Sequence, residues 1–572
     1  MFRIRRIADG YTEANAKALA AAEAILSTHF PSARERDFAD LPARLGRPGK
    51  DLTTPLVLVA EGAHDEVRAA LLAHRFANPA FVFLDYLGVR NGGIGGGLGG
   101  ALYQRLREIT ADIGGIGLFF ECLPGDGAHC RAAAETLAEN RKRLTFYARF
   151  GAYPIAGTAY ELPVGQDADC PPHLMYDSCG RERPLARDEG RAAVKAILER
   201  KYGWLCPPDY VARVVESFAD DPVRLNAPKR ARVALPVTAR HELAVIANTK
   251  HDIFHVKERG YVEAPVRVPL IRDALRHALK VEETAARNFP DRFVTAVHDP
   301  KLVEFIRRCS AETPPGKSTY PYVFPIHNRN RPPKDRALHA GYYCMDTFTP
   351  INRNAWPAAR QAVNCALTAA ALCLEGRRFS YALVRPPGHH AERQAFGGFC
   401  YLNNAAIAAN YLSHFGKVAV LDVDYHHGNG TQDIFWDRAD VLTISLHGHP
   451  RFAYPYFSGV EDETGGGAGQ GVNLNLPLKE NASPEEFFAA IRKALHRIAQ
   501  FAPVYLVVAL GFDTAIADPT GSWSLRAPHF NELGGAIAAM SLPTAFVQEG
   551  GYRTRTLGPN AAAFFKGVLG RI

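Results

Sequence analysis

The sequence predicts an α/β protein: an open parallel sheet with helices on both faces in its C-terminal part, and a smaller mixed α/β unit before it. Three observations carry this expectation. At 572 residues the chain is too long for one core, so two or three domains are expected. Four short apolar runs, at 381–384, 418–421, 505–510 and 544–547, are nearly continuous, which is the pattern of parallel strands covered on both faces. Each run leads into a glycine-containing turn bearing a polar reactive group, and open parallel sheets gather their chemistry outside the carboxyl ends of their strands.

The turn after 418–421 reads Asp422-Val423-Asp424-Tyr425-His426-His427-Gly428-Asn429. Residues i and i+2 of a strand share a side, so Asp424 and His426 converge. Either they only hydrogen-bond each other, or they are two of the three protein ligands of a catalytic metal site that keeps one position for water. Asp513, ending the turn after 505–510, is the natural third ligand. His389 and His390 follow 381–384 and supply a general base and a general acid. Tyr552, carried by Gly550-Gly551, supplies a donor to a tetrahedral oxyanion. Together these groups describe metal-assisted amide hydrolysis.

The motifs RPPGHHA (385–391), GGFCYLNNAA (397–406), DVDYHHGNGTQ (422–432), SLHG (445–448), GAGQGVNLNLPL (467–478), GFDTAIADP (511–519) and EGGY (549–552) resemble the zinc-dependent histone deacetylase superfamily, in that family's order. The resemblance runs from about residue 235 to the C-terminus and implies an arginase/deacetylase-like sheet. By that resemblance Asp424, His426 and Asp513 bind Zn2+, His389 and His390 are the tandem histidines, and Tyr552 is the transition-state tyrosine. It further implies that Phe399 and Phe457 wall an acyl-lysine tunnel, although Phe457 reads equally well as core. A structural K+ is implied on Asp422, Asp424, His426, Ser445 and Leu446.

One departure has mechanistic content. Class I members carry an aspartate after His-His-Gly, and this chain has Asn429. His389 is then expected to keep a carboxylate partner, Asp422, while His390 faces a neutral amide. An amide stabilises an imidazolium less than a carboxylate does, so His390 is the better general base and acid. Arginases share the sheet, but their second metal needs another carboxylate just after the histidines, and Gly428-Asn429 offers none.

The front of the chain carries a different pattern. A strand is expected at 80–89, then the turn Arg90, Asn91, Gly92, Gly93, Ile94, Gly95, Gly96, then a helical pattern to Leu106. A glycine-rich turn opening a helix suits a pyrophosphate, and could also be only a loop. With a second strand at 116–121 and FYARFG at 146–151, this resembles the acetyl-CoA-dependent N-acetyltransferase (GNAT) superfamily over residues 1–165. The resemblance implies that Arg90 to Gly96 cradle acetyl-CoA and that Tyr147 protonates the thiolate. Glu121 is either a general base or a structural carboxylate. The surplus glycines, Gly99 and Gly100 among them, each cost about 1 kcal/mol relative to alanine within a helix. The expected domains are 1–180, a helical connector at 181–232, and 233–572.

The start MFRIRRIADGYTEAN lacks the apolar core of a signal peptide, and no run is long enough to span a membrane. Ten cysteines without a C-x-x-C pair read as reduced thiols, and a cytoplasmic location is expected. A net charge of +8 is modest for this length, and the basic groups lack interleaved aromatics, so nucleic acid is not expected as a partner.

Residues 318–351 form a Pro- and Tyr-rich loop ending GYYCMDTFTPI, similar to the bacterial acetylpolyamine amidohydrolases. That similarity implies a homodimer through this loop and a narrow mouth for a small acetylated amine. Asp346 and Glu461-Asp462-Glu463 are candidate rim carboxylates for a cationic substrate. Thr520 stands where polyamine-specific eukaryotic relatives place a glutamate, so a protein acetyl-lysine substrate stays open, as does a front unit that only senses acetyl-CoA. A hydrolase half that only binds acylated ligands is the reading from another class.

Overall fold

The computed structural model describes residues 2–30, 38, 41–45, 53–62, 66–90, 97–126, 133–161, 170–181, 183–227, 243–252, 261–325, 333–375 and 377–570. They fall into two units, Met1–Ala239 and Arg240–Ile572.

The first unit is built on seven strands: β1 (Arg3–Ile7), β2 (Thr53–Glu61), β3 (Val67–Ala77), β4 (Ala80–Val89), β5 (Leu118–Cys122), β6 (Tyr153–Pro154) and β7 (His173–Asp177), in the order β1-β2-β3-β4-β5-β7-β6. Neighbours are antiparallel except β4 and β5, which run parallel. That parallel pairing covers Val82↔Leu118, Phe83↔Phe119 and Leu84↔Phe120, after which β4 runs on to Val89 against β3 alone. Alternation along the strands sends side chains to opposite faces. Leu56 and Leu58 meet Leu102 and Leu106 of the helix Leu98–Asp112, while Val57 and Val59 meet Ala22 and Leu26 of the helix Glu13–His29.

The segment expected as a connector, 181–232, is helical at Arg187–Ala196 and Pro208–Glu216, but it does not stand apart. Leu185, Val194 and Val214 pack on Phe81, Phe83 and Phe119, so these helices complete the core of the first unit. Their apolar residues recur at helical spacing, and that stripe needs a sheet to cover it.

The second unit adds β8 (Leu243–Ala247), β9 (Val281–Glu283), a short ribbon of β10 (Ser318–Thr319) and β11 (Ile351–Asn352), then β12 (Phe379–Leu383), β13 (Val418–Asp422), β14 (Val441–Gly448), β15 (Asn473–Leu478), β16 (Tyr505–Leu510) and β17 (Thr544–Gln548). Eight of them form one sheet in the order β15-β14-β13-β16-β17-β12-β8-β9, and every pairing in it is parallel. The four apolar runs are its central strands β12, β13, β16 and β17. Val420, Val507 and Val547 bury against the helices Ala355–Leu374 and Asn404–Ser413. Leu421, Val508 and Phe546 bury on the opposite face against Pro484–Phe501, Ala527–Ala538 and Thr554–Leu569.

From β13 the chain steps outward through β14 to β15, then returns to place β16 and β17 on the other side of β13. The strand order therefore reverses between β13 and β16, and the crevice at a reversal is where such sheets bind ligands.

Eight described cysteines are free and buried. Cys170 is disulfide-bonded, which departs from the expectation of thiols throughout. No described helix is long and apolar enough to cross a membrane.

Candidate functional site

Asp424 and His426 leave the end of β13, and Asp513 leaves the end of the adjacent β16; one ligand atom from each lies within 4.8 Å of the others. His426 Nδ1 is 3.2 Å from Asp424 Oδ1 and 3.1 Å from Asp513 Oδ2. The outer carboxylate oxygens are aimed by the backbone: Gly550 N–H donates to Asp424 Oδ2 at 2.7 Å, and Tyr425 N–H donates to Asp513 Oδ1 at 2.9 Å. Gly550 has to be glycine, because a Cβ there would come within 2.3 Å of Asp513 Oδ2 and 2.6 Å of Asp424 Oδ2. Burial beside Asp424 pushes the Asp513 carboxyl up to about 7. Two buried carboxylates and an imidazole crowded in this way fit a divalent cation, which relieves their mutual repulsion. Among the described residues this is the cluster that can hold a metal.

The tandem histidines sit beside it with ring centroids 4.0 Å apart. His389 Nδ1 donates to Asp422 Oδ2 at 2.9 Å, and His390 Nδ1 donates to Asn429 Oδ1 at 2.8 Å. An amide oxygen can only accept, so His390 carries its proton on Nδ1 when neutral. Burial opposes charge on both rings. At His389 the carboxylates of Asp422 and Asp424 overcome it and hold the imidazolium to about 10. At His390 burial wins, reinforced by His389 and His426, and the ring stays neutral well below the usual histidine range. Glu549 accepts from the backbone N–H groups of Gly388 (2.6 Å) and His389 (3.1 Å), which fixes where the pair begins.

Tyr552 closes the opposite side. Its backbone N–H donates to Asp518 at 2.7 Å, and Gly551 before it has φ +110°, a conformation that glycine tolerates. The fully buried Arg267 holds this turn: its Nε donates to Gly551 O at 2.7 Å, Nη2 donates to Glu549 O, and its guanidinium lies 4.8 Å from the Tyr552 ring centre. Glu263 balances that charge at 3.0 Å. Burial pushes the Tyr552 hydroxyl well above its ordinary value, so it remains a donor.

A cavity of about 430 Å³ opens on this group, lined by Phe348, Phe399, Tyr454, Tyr456, Tyr552 and Glu480 beside His390 and His426. Phe399 sits at φ +66°, a strained backbone for a non-glycine residue, and its ring is 5.9 Å from that of Tyr552. Phe457 does not line it with Phe399; Tyr454 and Tyr456 stand in the wall instead.

A histone deacetylase domain model matches residues 261–568. The chain belongs to the histone deacetylase family. Its deacetylase domain is 38 % identical over 327 residues to acetylpolyamine amidohydrolase 2 of Pseudomonas aeruginosa, covering 56 % of this chain and 95 % of that one. It is also 38 % identical to the acetylpolyamine amidohydrolase of Mycoplana ramosa, covering 57 % of this chain and 100 % of that one. Among solved structures, the acetylpolyamine aminohydrolase of Burkholderia pseudomallei superposes with a TM-score of 0.54 at 37 % identity, over 57 % of this chain and 98 % of that one.

The rim carboxylates fall differently from their expected places. Asp346 is buried and accepts from Gly398 N–H at 2.6 Å and Tyr454 Oη at 3.1 Å, so it shapes the deacetylase domain's wall rather than meeting solvent. Glu463 is taken up by Gln432 at 2.7 Å and Gly459 N–H at 2.8 Å. Glu461 and Asp462 line a neighbouring depression that shares Tyr456 with the cavity. Arg267 and Glu480 carry no sequence signal, because what they touch comes from distant strand ends; Glu549 stood inside EGGY without a role.

In the first unit, Asn91, Gly92, Gly93, Ile94, Gly95 and Gly96 lie outside the described residues. Arg90 pairs with Glu66 at 2.6 Å, and the helix Leu98–Asp112 starts just beyond. Tyr147 packs 4.4 Å from Phe120 and 5.0 Å from Tyr103 between ring centroids, and burial pushes its hydroxyl far up. Glu121 accepts from Tyr160 at 2.5 Å and Tyr202 at 2.7 Å, which takes both carboxylate oxygens and favours its structural role.

Proposed function

We propose that the second unit hydrolyses the amide of a small N-acetylated amine, of the acetylpolyamine kind. The observation that carries this reading is the unequal pair: a neutral His390 with Nδ1 held by Asn429, beside a charged His389 held by Asp422. Zn2+ held by Asp424, His426 and Asp513 would supply Lewis acidity and a water of lowered pKa. His390 Nε2 takes the proton of the nucleophilic water and returns it to the departing amine. His389 remains an imidazolium and stabilises negative charge developing beside it. Tyr552 donates its hydroxyl proton in a hydrogen bond to the carbonyl oxygen as that oxygen becomes an oxyanion.

The substrate class is supported by the relatives named acetylpolyamine amidohydrolases and by the cavity itself. Its wall is aromatic and carries the Glu480 carboxylate, a combination that suits a chain ending in an ammonium. A homodimer through 318–351 and a K+ on Asp422, Asp424, His426, Ser445 and Leu446 belong to the same proposal; Tyr322, 82 % exposed, gives the dimer an apolar anchor. The test is a panel of acetylputrescine, acetylspermidine and an acetyl-lysine peptide on zinc-loaded protein. Faster turnover of the peptide would replace this substrate class with a protein side chain.

For the first unit we infer an acetyl-CoA-binding, GNAT-like domain. The parallel β4–β5 pair that parts after Leu84 and Phe120, followed by a glycine-rich segment leading into the helix Leu98–Asp112, supports it. Both activities would then act on N-acyl amines in opposite directions.

A further inference from the structure

His390 works as a base only if its proton rests on Nδ1, and that depends on how one amide is turned. The Asn429 carboxamide has an oxygen on one side and an NH2 on the other, with nearly the same shape. Turned over, it would present NH2 to His390 Nδ1. The imidazole would answer by moving its proton to Nε2, the nitrogen left for the cavity that His390 lines, and a protonated Nε2 cannot accept from water.

The outer side of that amide meets a carboxylate. Asn429 Nδ2 donates to Glu392 Oε1 at 2.7 Å, and more weakly to His390 O at 3.4 Å. Burial pushes the Glu392 carboxyl up to about 7 and the hydrogen bond from Asn429 opposes that rise; above that pH the ionised carboxylate accepts and does not donate, so the turned amide would set oxygen against oxygen. Glu392 is itself held in place: its N–H donates to Ala395 O at 2.9 Å, and its carbonyl accepts from His298 Nδ1 at 2.8 Å. His298 Nε2 in turn accepts from Asn403 N–H at 2.9 Å, on the segment leading into the helix Asn404–Ser413. The neighbouring charged groups are spoken for: Arg393 N–H donates to Asp433 at 2.8 Å and Arg393 Nη2 donates to Ile434 O at 3.2 Å.

We propose that Glu392 is a positioning residue, which fixes the Asn429 carboxamide and through it the Nδ1–H form of His390. It rests on the reading of the second unit as a hydrolase that uses His390 as its base. A carboxylate at position 429 would need no such guide, because either of its oxygens accepts from Nδ1.

The test uses the full chain loaded with zinc and acetylputrescine as substrate. Glu392→Ala is expected to lower kcat about tenfold or more while KM stays within about twofold. Adding Asn429→Asp is expected to bring kcat back to within about threefold of the Asn429→Asp single variant. A kcat for Glu392→Ala within about twofold of wild type, or a loss that Asn429→Asp does not relieve, overturns the proposal. Thermal melts accompany each variant. If Glu392→Ala does not fold, Glu392→Met, which fills the space of the side chain without an oxygen acceptor, carries the same two outcomes. Failure of the hydrolase reading itself would look different, since zinc-loaded wild type would then turn over no acetylated amine.

Discussion

His390 Nδ1 meets Asn429 Oδ1 at 2.8 Å, whereas the adjacent His389 meets a carboxylate, Asp422, at 2.9 Å. The two imidazoles differ in charge because their partners differ in charge. Asn429→Asp is therefore expected to raise the His390 pKa. With the neutral ring as the base in the proposed mechanism, the acid limb of the kcat–pH profile should move to higher pH. A limb that stays in place would show that His390 is not the titrating base.

Asp513, at the end of β16, is one of the three residues proposed to hold Zn2+. Asp513→Asn keeps the shape but removes a charge, and bound zinc, read by elemental analysis, is expected to fall well below one per chain with activity lost in parallel. Chelation of wild-type protein should abolish turnover, and added zinc should restore it.

Tyr552→Phe keeps the ring over Arg267 while removing the hydroxyl. Loss of one oxyanion donor costs about 10²–10³ in kcat. KM and the melting midpoint are expected to stay near wild type, and a large loss of stability would instead mark Tyr552 as a packing residue.

Glu480→Gln separates charge from shape at the cavity wall. KM for acetylputrescine, which carries an ammonium, is expected to rise up to several-fold, since an exposed ion pair contributes up to about 1 kcal/mol. KM for an uncharged N-acetyl alkylamine should stay unchanged. Equal effects on both substrates would remove Glu480 from recognition.

Acetyl-CoA titrated into the intact chain by calorimetry is expected to bind the first unit. Any truncated version needs to retain the helices Arg187–Ala196 and Pro208–Glu216, because they cover Phe81, Phe83 and Phe119. Absence of binding by the intact chain would make the glycine-rich turn structural.

The central strands of the second unit, and the reactive residues at their ends, were legible from the amino-acid order alone. Both signals are local: an apolar run of strand length, and a glycine turn that carries Asp424 and His426, or Asp513, directly after it. The sequence also placed Asn429 opposite His390, because a motif holds them in a known order. Only the tertiary structure decided what those residues touch. Arg267 reaches Gly551 across 284 residues and Asn429 reaches Glu392 across 37, and such partners follow from strand order rather than from spacing. The same reason moved Asp346 inside, gave the cavity wall Tyr454 and Tyr456 in place of Phe457, and folded the expected connector onto the first sheet. A pattern in the chain can say which face of an element is apolar or reactive; the sheet order determines what comes to meet it.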